Sequence, residues 1–302
     1  MDTPASLAVL AADEAGEGVP LLLLHAFPLS RRMWWPQLAA LAGRCRMLAP
    51  DLPGFGESPA LGGAPSPVQA HSAARSPSPA ACGMDDMAAA AVRLLDARGI
   101  PAAVVCGLSM GGYVALALYD RFPERVRGLV LADTRATADD EAGRRRRLES
   151  ADDVERRGSA AVLADSLIPK LLSARGPAHG GPNPARGAGP AHGSPDPDRD
   201  ELVTWLRREI AAAPAAGVAA AQRGMAARPD RSALLARVAV PTLIVVGEDD
   251  ELTPPAESLR MREGIAGARL ATIPEAGHLS NLERPAAFNQ ALRDFLGDFA
   301  PA

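Results

Sequence analysis

The chain has 302 residues, 47% of them hydrophobic, and a formal net charge of −4. That length suffices for one large α/β domain or two small ones, with enough apolar material for a sizeable core. The slightly acidic balance excludes a nucleic-acid binder, which needs a basic surface.

Lys170 is the only lysine among many arginines and alanines, a bias that fits a GC-rich genome. Cys45, Cys82 and Cys106 are odd in number and scattered, so neither a disulfide framework nor a zinc site is indicated. Leu21 to Leu24 is too short to span a membrane, and no basic segment precedes a long apolar run near the start. A soluble protein of a reducing compartment, the cytoplasm, is expected.

Residues 1–18 are small and polar, as in an opening hairpin or edge strands. Val19 to Leu24 is a continuous apolar run, suited to a strand buried on both faces. It ends in the loop His25-Ala26-Phe27-Pro28. Met33 to Leu41 reads as a helix, Arg46 to Pro50 as the next strand and Asp51 to Ser58 as a turn-rich loop. Residues 59–83 are dominated by proline, serine, alanine and glycine and read as a flexible excursion. A helix follows from Met87 to Arg98, with Gly99 as its stop. Ala102 to Val105 reads as a strand, Tyr113 to Arg121 as a helix, and Val126 to Ala132 as a strand ending at Asp133.

From Arg135 the strand–helix alternation breaks. Helical stretches over 141–157, 159–172, 201–212 and 214–226 surround a low-complexity segment, 175–200, so 135–228 reads as a helical insertion. His179 and His192 lie in its repeated Gly-Pro-Ala-His-Gly, which gives no rigid metal geometry. Alternation resumes with a strand at Pro241 to Val246, a helix at Pro255 to Ile265, a strand at Arg269 to Ile273 and a closing helix from Pro285.

Ser109 sits in Gly107-Leu108-Ser109-Met110-Gly111, a G-x-S-x-G pattern at a strand-to-helix turn. Glycines two residues to either side remove Cβ clashes and leave the hydroxyl over the amino end of a helix. Unpaired N–H groups there suit a developing oxyanion. A serine hydroxyl needs a base within hydrogen-bond reach, and the imidazole needs a carboxylate to fix its tautomer. His25 and His278 are the two histidines outside low-complexity stretches. His278 follows a strand and a glycine turn and is the candidate base, while His25 is expected to brace its loop. For the acid, Asp249 and Asp250 are adjacent in one loop, and Asp133 ends the preceding strand.

With HAFP at His25–Pro28, DLPGFGES at Asp51–Ser58, GLSMGG at Gly107–Gly112, GEDDELTP at Gly247–Pro254 and AGHLSNLERP at Ala276–Pro285, the chain resembles the α/β-hydrolase fold family, in its serine-nucleophile branch. The resemblance implies an α/β fold, a mostly parallel sheet flanked by helices. Residues 1–134 and 229–302 would form the core and 135–228 a helical cap. It implies Ser109 as nucleophile, Asp250 as acid and His278 as base, with the backbone N–H groups of Phe27 and Met110 as oxyanion hole. No cofactor and no metal are implied. The family's histidine–glycine pair is His25-Ala26 here, which requires Ala26 to hold a backbone angle open to a residue with a Cβ.

The pieces look most like small esterases and 3-oxoadipate enol-lactonase-like hydrolases, with cofactor-free haloperoxidases, which are esterase-like perhydrolases, also similar. The implied partner is a small-molecule ester or lactone, cleaved through an acyl-enzyme. A non-catalytic ligand receptor on the same scaffold is the rival, against which an intact Ser109–Asp250–His278 set weighs. Arg135 and Arg144 to Arg147 fall in the cap region. A carboxylated substrate would call for an arginine, but four consecutive arginines point all round a helix, so a solvated face is expected. The substrate pocket is expected to be apolar and modest, walled by Phe27 and Trp34 or Trp35 below and by cap helices above.

Overall fold

The computed structural model describes residues 9–61, 82–175 and 198–299. Within the low-complexity stretches 59–83 and 175–200, residues 62–81 and 176–197 lie outside the described residues, as do His179 and His192.

Among the described residues seven strands form one sheet: β1 (Ala12–Ala15), β2 (Val19–Leu24), β3 (Cys45–Pro50), β4 (Ala103–Leu108), β5 (Val126–Ala132), β6 (Thr242–Gly247) and β7 (Arg269–Ile273). Their spatial order is β1-β3-β2-β4-β5-β6-β7. β1 runs antiparallel to β3, and every other pairing is parallel. The opening segment thus contributes an edge strand that pairs with β3, not a hairpin with its sequence neighbour.

Helices cover both faces of the sheet. The α-helices among the described residues are α1 (Trp35–Leu41), α2 (Met84–Ala97), α3 (Met110–Arg121), α4 (Glu141–Arg157), α5 (Ala164–Leu171), α6 (Arg199–Ala212), α7 (Ala215–Ala226), α8 (Ser232–Leu235), α9 (Pro255–Gly264), α10 (Ser280–Glu283) and α11 (Pro285–Leu296). The continuous apolar run of β2 follows from this double cover. Leu22 and Leu24 pack into one core with α2 and α3, while Leu21 and Leu23 pack into the other with α1 and α11. All four leucines are at most 1% exposed, and burying each contributes roughly 1.5–3 kcal/mol.

Helices α4 to α7 lie in sequence between β5 and β6, the position of the expected insertion. Asp140 caps α4 by accepting from the Gly143 N–H at 2.7 Å, and Gly158 ends that helix in the left-handed region. α4 packs on α7, and α5 on α6. Val154 and Val218 join the first core and Ile168, Leu206 and Ile210 the second, so the insertion is continuous with the body. Because β2, β4, β5, β6 and β7 are parallel, the loops after them share one edge of the sheet, where ligand sites form in open α/β folds.

Candidate active site

Ser109 follows β4 with φ 56° and ψ −114°, a conformation that costs a non-glycine residue about 1–3 kcal/mol. Its surroundings hold it there. The Ser109 N–H donates to the Ala132 carbonyl of β5 at 2.9 Å, and the Thr134 hydroxyl donates to the Ser109 carbonyl at 2.8 Å. The turn needs its glycines because backbone comes close. A Cβ on Gly107 would lie 2.1 Å from the Gly111 carbonyl oxygen, and one on Gly111 would lie 2.1 Å from that of Leu24.

The loops after β6 and β7 bring Asp250 and His278 to this hydroxyl. His278 Nε2 is 2.7 Å from Ser109 Oγ, and His278 Nδ1 is 2.9 Å from both carboxylate oxygens of Asp250. An ionised carboxylate only accepts, so Nδ1 carries the proton and Nε2 presents its lone pair to the serine O–H. Asp250 also accepts from Leu252 N–H at 2.9 Å, Thr253 N–H at 3.0 Å and the Thr253 hydroxyl at 2.6 Å. Burial alone would raise its pKa, but His278 and Thr253 outweigh this and hold it below the ordinary carboxylate value.

The two other candidate carboxylates are turned to different work. Asp249 accepts from the Ser173 hydroxyl at 2.5 Å and from Arg175 Nε at 2.9 Å. Asp133 accepts from the Gly247 N–H at 2.7 Å and from the Ser280 hydroxyl, tying β6 to the loop after His278. Burial and the nearby Asp250 carboxylate push the Asp133 pKa well above the usual range.

Met110 opens α3, so its N–H is among the four amides that have no carbonyl within a helix. Phe27 follows β2 on the same sheet edge and lines the cavity beside Ser109. Ala26 is not among the positive-φ residues, so a Cβ is tolerated there. His25 braces this loop as expected. Its Nδ1–H donates to the Ala26 carbonyl at 2.9 Å, and its Nε2 accepts the Leu52 N–H at 2.9 Å. Complete burial lowers its pKa to about 4, which keeps the imidazole neutral. Asp51 fastens the next loop, accepting from the backbone N–H groups of Arg31 and Glu57 at 2.8 and 2.9 Å.

A cavity of about 450 Å³ opens above Ser109 and His278, floored by Phe27 and Tyr113 and roofed by α4, α5 and α7. Two expectations about it need correction. Trp34 and Trp35 do not line it. Trp34 is fully buried with its ring centroid 6.2 Å from that of Phe288, and Trp35 lies 6.2 Å from Trp205 at a separate depression. Both belong to the sheet face covered by α1 and α11, which turns Trp34 into the core.

The walls are also far from uniformly apolar. Leu163, Leu167 and Leu171 face the cavity as expected of insertion leucines, but so do Arg135, Arg146, Arg147 and Lys170. Gly143, Arg146, Arg147 and Ser150 recur every three to four residues, so one stripe of α4 covers the site and the arginine run is not wholly solvated. Asp139 accepts from Arg147 Nε at 2.5 Å and from Arg228 at 2.7 and 2.9 Å, and also pairs with Arg135. Burial would raise the Asp139 carboxyl, but these arginines hold it well below the usual range. The Arg146 and Lys170 side chains have no hydrogen bond or ion pair among the described residues. The sequence offered Arg146 only as one of the run Arg144 to Arg147, read as a solvated face, and gave no signal for Lys170 beyond its being the single lysine.

Comparison with known proteins agrees with this architecture. Residues 19–285 match the alpha/beta hydrolase fold family. A 3-oxoadipate enol-lactonase from Acinetobacter baylyi is 25% identical over 279 residues, covering 92% of this chain and 89% of that protein. A thermophilic esterase from Thermogutta terrifontis, solved with malate bound, is 35% identical with a TM-score of 0.81, covering 96% of this chain and 93% of that one. The enol-lactonase from Burkholderia xenovorans has a TM-score of 0.75 at 25% identity, covering 95% and 96%. The chain therefore belongs to the α/β-hydrolase fold family, among its esterase- and lactonase-like members, and is a hydrolase acting on ester bonds.

Proposed function

We propose that the protein cleaves a carboxylic ester or lactone through an acyl-enzyme on Ser109. The observation that carries this reading is the unbroken chain from Ser109 Oγ to His278 Nε2 at 2.7 Å and from His278 Nδ1 to Asp250 at 2.9 Å. In this reading Ser109 Oγ attacks the carbonyl carbon while its proton passes to His278 Nε2. The Phe27 and Met110 N–H groups receive the oxyanion, as the family resemblance implies. The imidazolium, held by Asp250, returns the proton to the departing alkoxide. Water then loses a proton to His278 and attacks the acyl carbonyl; the bond to Ser109 Oγ breaks, His278 returns the proton to Oγ, and the carboxylic acid leaves. Residues 135–228 act as the cap over this site, and 1–134 with 229–302 as the core that carries the chemistry. Cys45, Cys82 and Cys106 are free and buried, which fits a reducing compartment such as the cytoplasm.

Arg146 and Lys170 favour a more specific reading, in which the substrate also bears a carboxylate. Cations that face a cavity with no side-chain partner among the described residues attract an anionic ligand and raise its encounter rate, and here they outnumber the one such carboxylate of the lining, Glu251. The test compares kcat/KM for monomethyl succinate with that for dimethyl succinate, and includes a carboxylated lactone. The anionic compounds are expected to be preferred roughly tenfold, less so in high salt. Preference for the neutral diester would reject the carboxylate reading and leave a plain carboxylesterase.

A further inference from the structure

Glu283 ends α10, five residues beyond His278, and is 4% exposed. Its carboxylate lies between two backbone amides from distant parts of the chain. One oxygen accepts from the Ser173 N–H at 2.7 Å, and the other accepts from the Gly277 N–H. Gly277 directly precedes His278. Ser173 lies two residues past the end of α5, the helix whose Leu167, Lys170 and Leu171 wall the cavity.

The joint between these segments is close. The Leu279 N–H donates to the Leu171 carbonyl at 3.1 Å, and a Cβ on Gly277 would lie 2.5 Å from Ser173 N. The other polar groups of Ser173 are also engaged. Its hydroxyl donates to Asp249, next to Asp250, and its carbonyl accepts from Arg199. The end of the α5 wall, the Asp250 loop and the His278 loop thus meet at one buried serine and one buried carboxylate.

We propose that Glu283 is a positioning residue, a clip that fastens the α5 wall of the substrate cavity to the loop carrying His278. One side chain then sets both the closure of the pocket and the placement of the base. The inference rests on the reading that Ser109 and His278 carry out acyl transfer. The clip needs an ionised carboxylate, because a protonated carboxyl keeps one good acceptor oxygen for two N–H groups. Burial pushes the Glu283 carboxyl up to about 7. The Gly277 and Ser173 N–H groups, and then the Arg199 and Arg284 guanidiniums, oppose that rise, while the Glu283 carboxylate in turn raises Asp133 across the joint. The clip therefore loosens as pH falls through neutrality.

The test is Glu283→Gln, which presents one acceptor oxygen and one NH₂ group to the two amides. Steady-state KM is measured with a p-nitrophenyl ester, and the rate of Ser109 modification with a neutral p-nitrophenyl phosphonate. Loss of the clip is expected to raise KM roughly tenfold and slow phosphonylation by a similar factor. The unaltered enzyme's KM is expected to rise between pH 8 and pH 6, while that of the variant stays flat at its raised value. A lowered melting temperature with KM and phosphonylation rate both unchanged would reduce Glu283 to a structural residue and overturn the proposal. So would movement of only one of the two readouts, or equal pH dependence of KM in both proteins. Should Glu283→Gln not fold, Glu283→Asp keeps the buried charge and is judged by smaller shifts in the same two readouts. If the unaltered enzyme is not phosphonylated at Ser109, the acyl-enzyme reading fails and the clip falls with it. If it is labelled and the variant matches it in rate and KM, only the clip fails.

Discussion

Replacing Asp250 by asparagine separates the three neighbouring carboxylates by function. Oδ1 of Asp250 accepts the Leu252 and Thr253 N–H groups at 2.9 and 3.0 Å, so the asparagine oxygen keeps that position. Its NH₂ then replaces Oδ2, facing His278 Nδ1 and the Thr253 hydroxyl, which lie 2.9 and 2.6 Å from Oδ2. The hydroxyl can rotate to accept. His278 Nδ1 lies 2.9 Å from both positions, but the asparagine oxygen already accepts two N–H groups, so Nδ1 is expected to accept from the NH₂, which moves the ring proton to Nε2, where it points at Ser109 and leaves no base. Loss of the correct tautomer is expected to lower kcat by about 10⁴, or about 5.5 kcal/mol of barrier, in a protein that still folds. Asp249→Asn loses an ion pair to Arg175, whose side chain is 59% exposed, so its kcat is expected to stay within about threefold of the parent. Initial rates on p-nitrophenyl acetate at pH 8, with urea unfolding as a check on the fold, decide the matter. Near-parental activity in Asp250→Asn, or a comparable loss in Asp249→Asn, would refute the reasoning.

The remaining expectations concern charge. Arg146→Ala and Lys170→Ala are each expected to reduce kcat/KM for an anionic ester roughly two- to fivefold and to leave its neutral counterpart unchanged; equal effects on both substrates would argue for a packing role. His25 is buried neutral with its pKa lowered to about 4 from 6.5, so its contribution to stability is complete above pH 6.5 and is lost as pH falls toward 4. The loss between pH 7 and pH 4.5 amounts to about 2.4 kcal/mol, and it is read as the difference in urea stability between those pH values for the parent against His25→Gln. Parallel slopes in the two proteins would show that the imidazole is not held neutral.

Much of the fold was legible because local pattern and burial coincide. Val19 to Leu24 is apolar throughout because both sheet faces are covered, and Gly107 and Gly111 mark the turn at Ser109 because backbone lies where their side chains would be. His25 was legible as the brace of its own loop, whereas the bracing role of Asp51 became readable only with the Arg31 and Glu57 N–H groups on it in view. What the sequence concealed depends on packing partners. Hydrophobic periodicity cannot mark a polar stripe, so Gly143, Arg146, Arg147 and Ser150 gave no sign that one side of α4 roofs a cavity. Trp34 lies near the site loop in sequence, yet the sheet face beneath α11 decides where its ring goes. α10 spans Ser280–Glu283, too short to show a period, and Glu283 was part of a recognised motif without a visible partner until Ser173 came to it across the fold.

Everything proposed for the site turns on Ser109 forming the acyl-enzyme. The most direct test of this is intact-protein and peptide mass spectrometry of samples acid-quenched during turnover of p-nitrophenyl butyrate, run alongside Ser109→Ala. The expected result is a butyryl adduct on Ser109 in the unaltered enzyme, no adduct in the variant, and a fall in kcat on the order of 10⁶. An adduct on another residue, or turnover by Ser109→Ala at the parental rate, would contradict it.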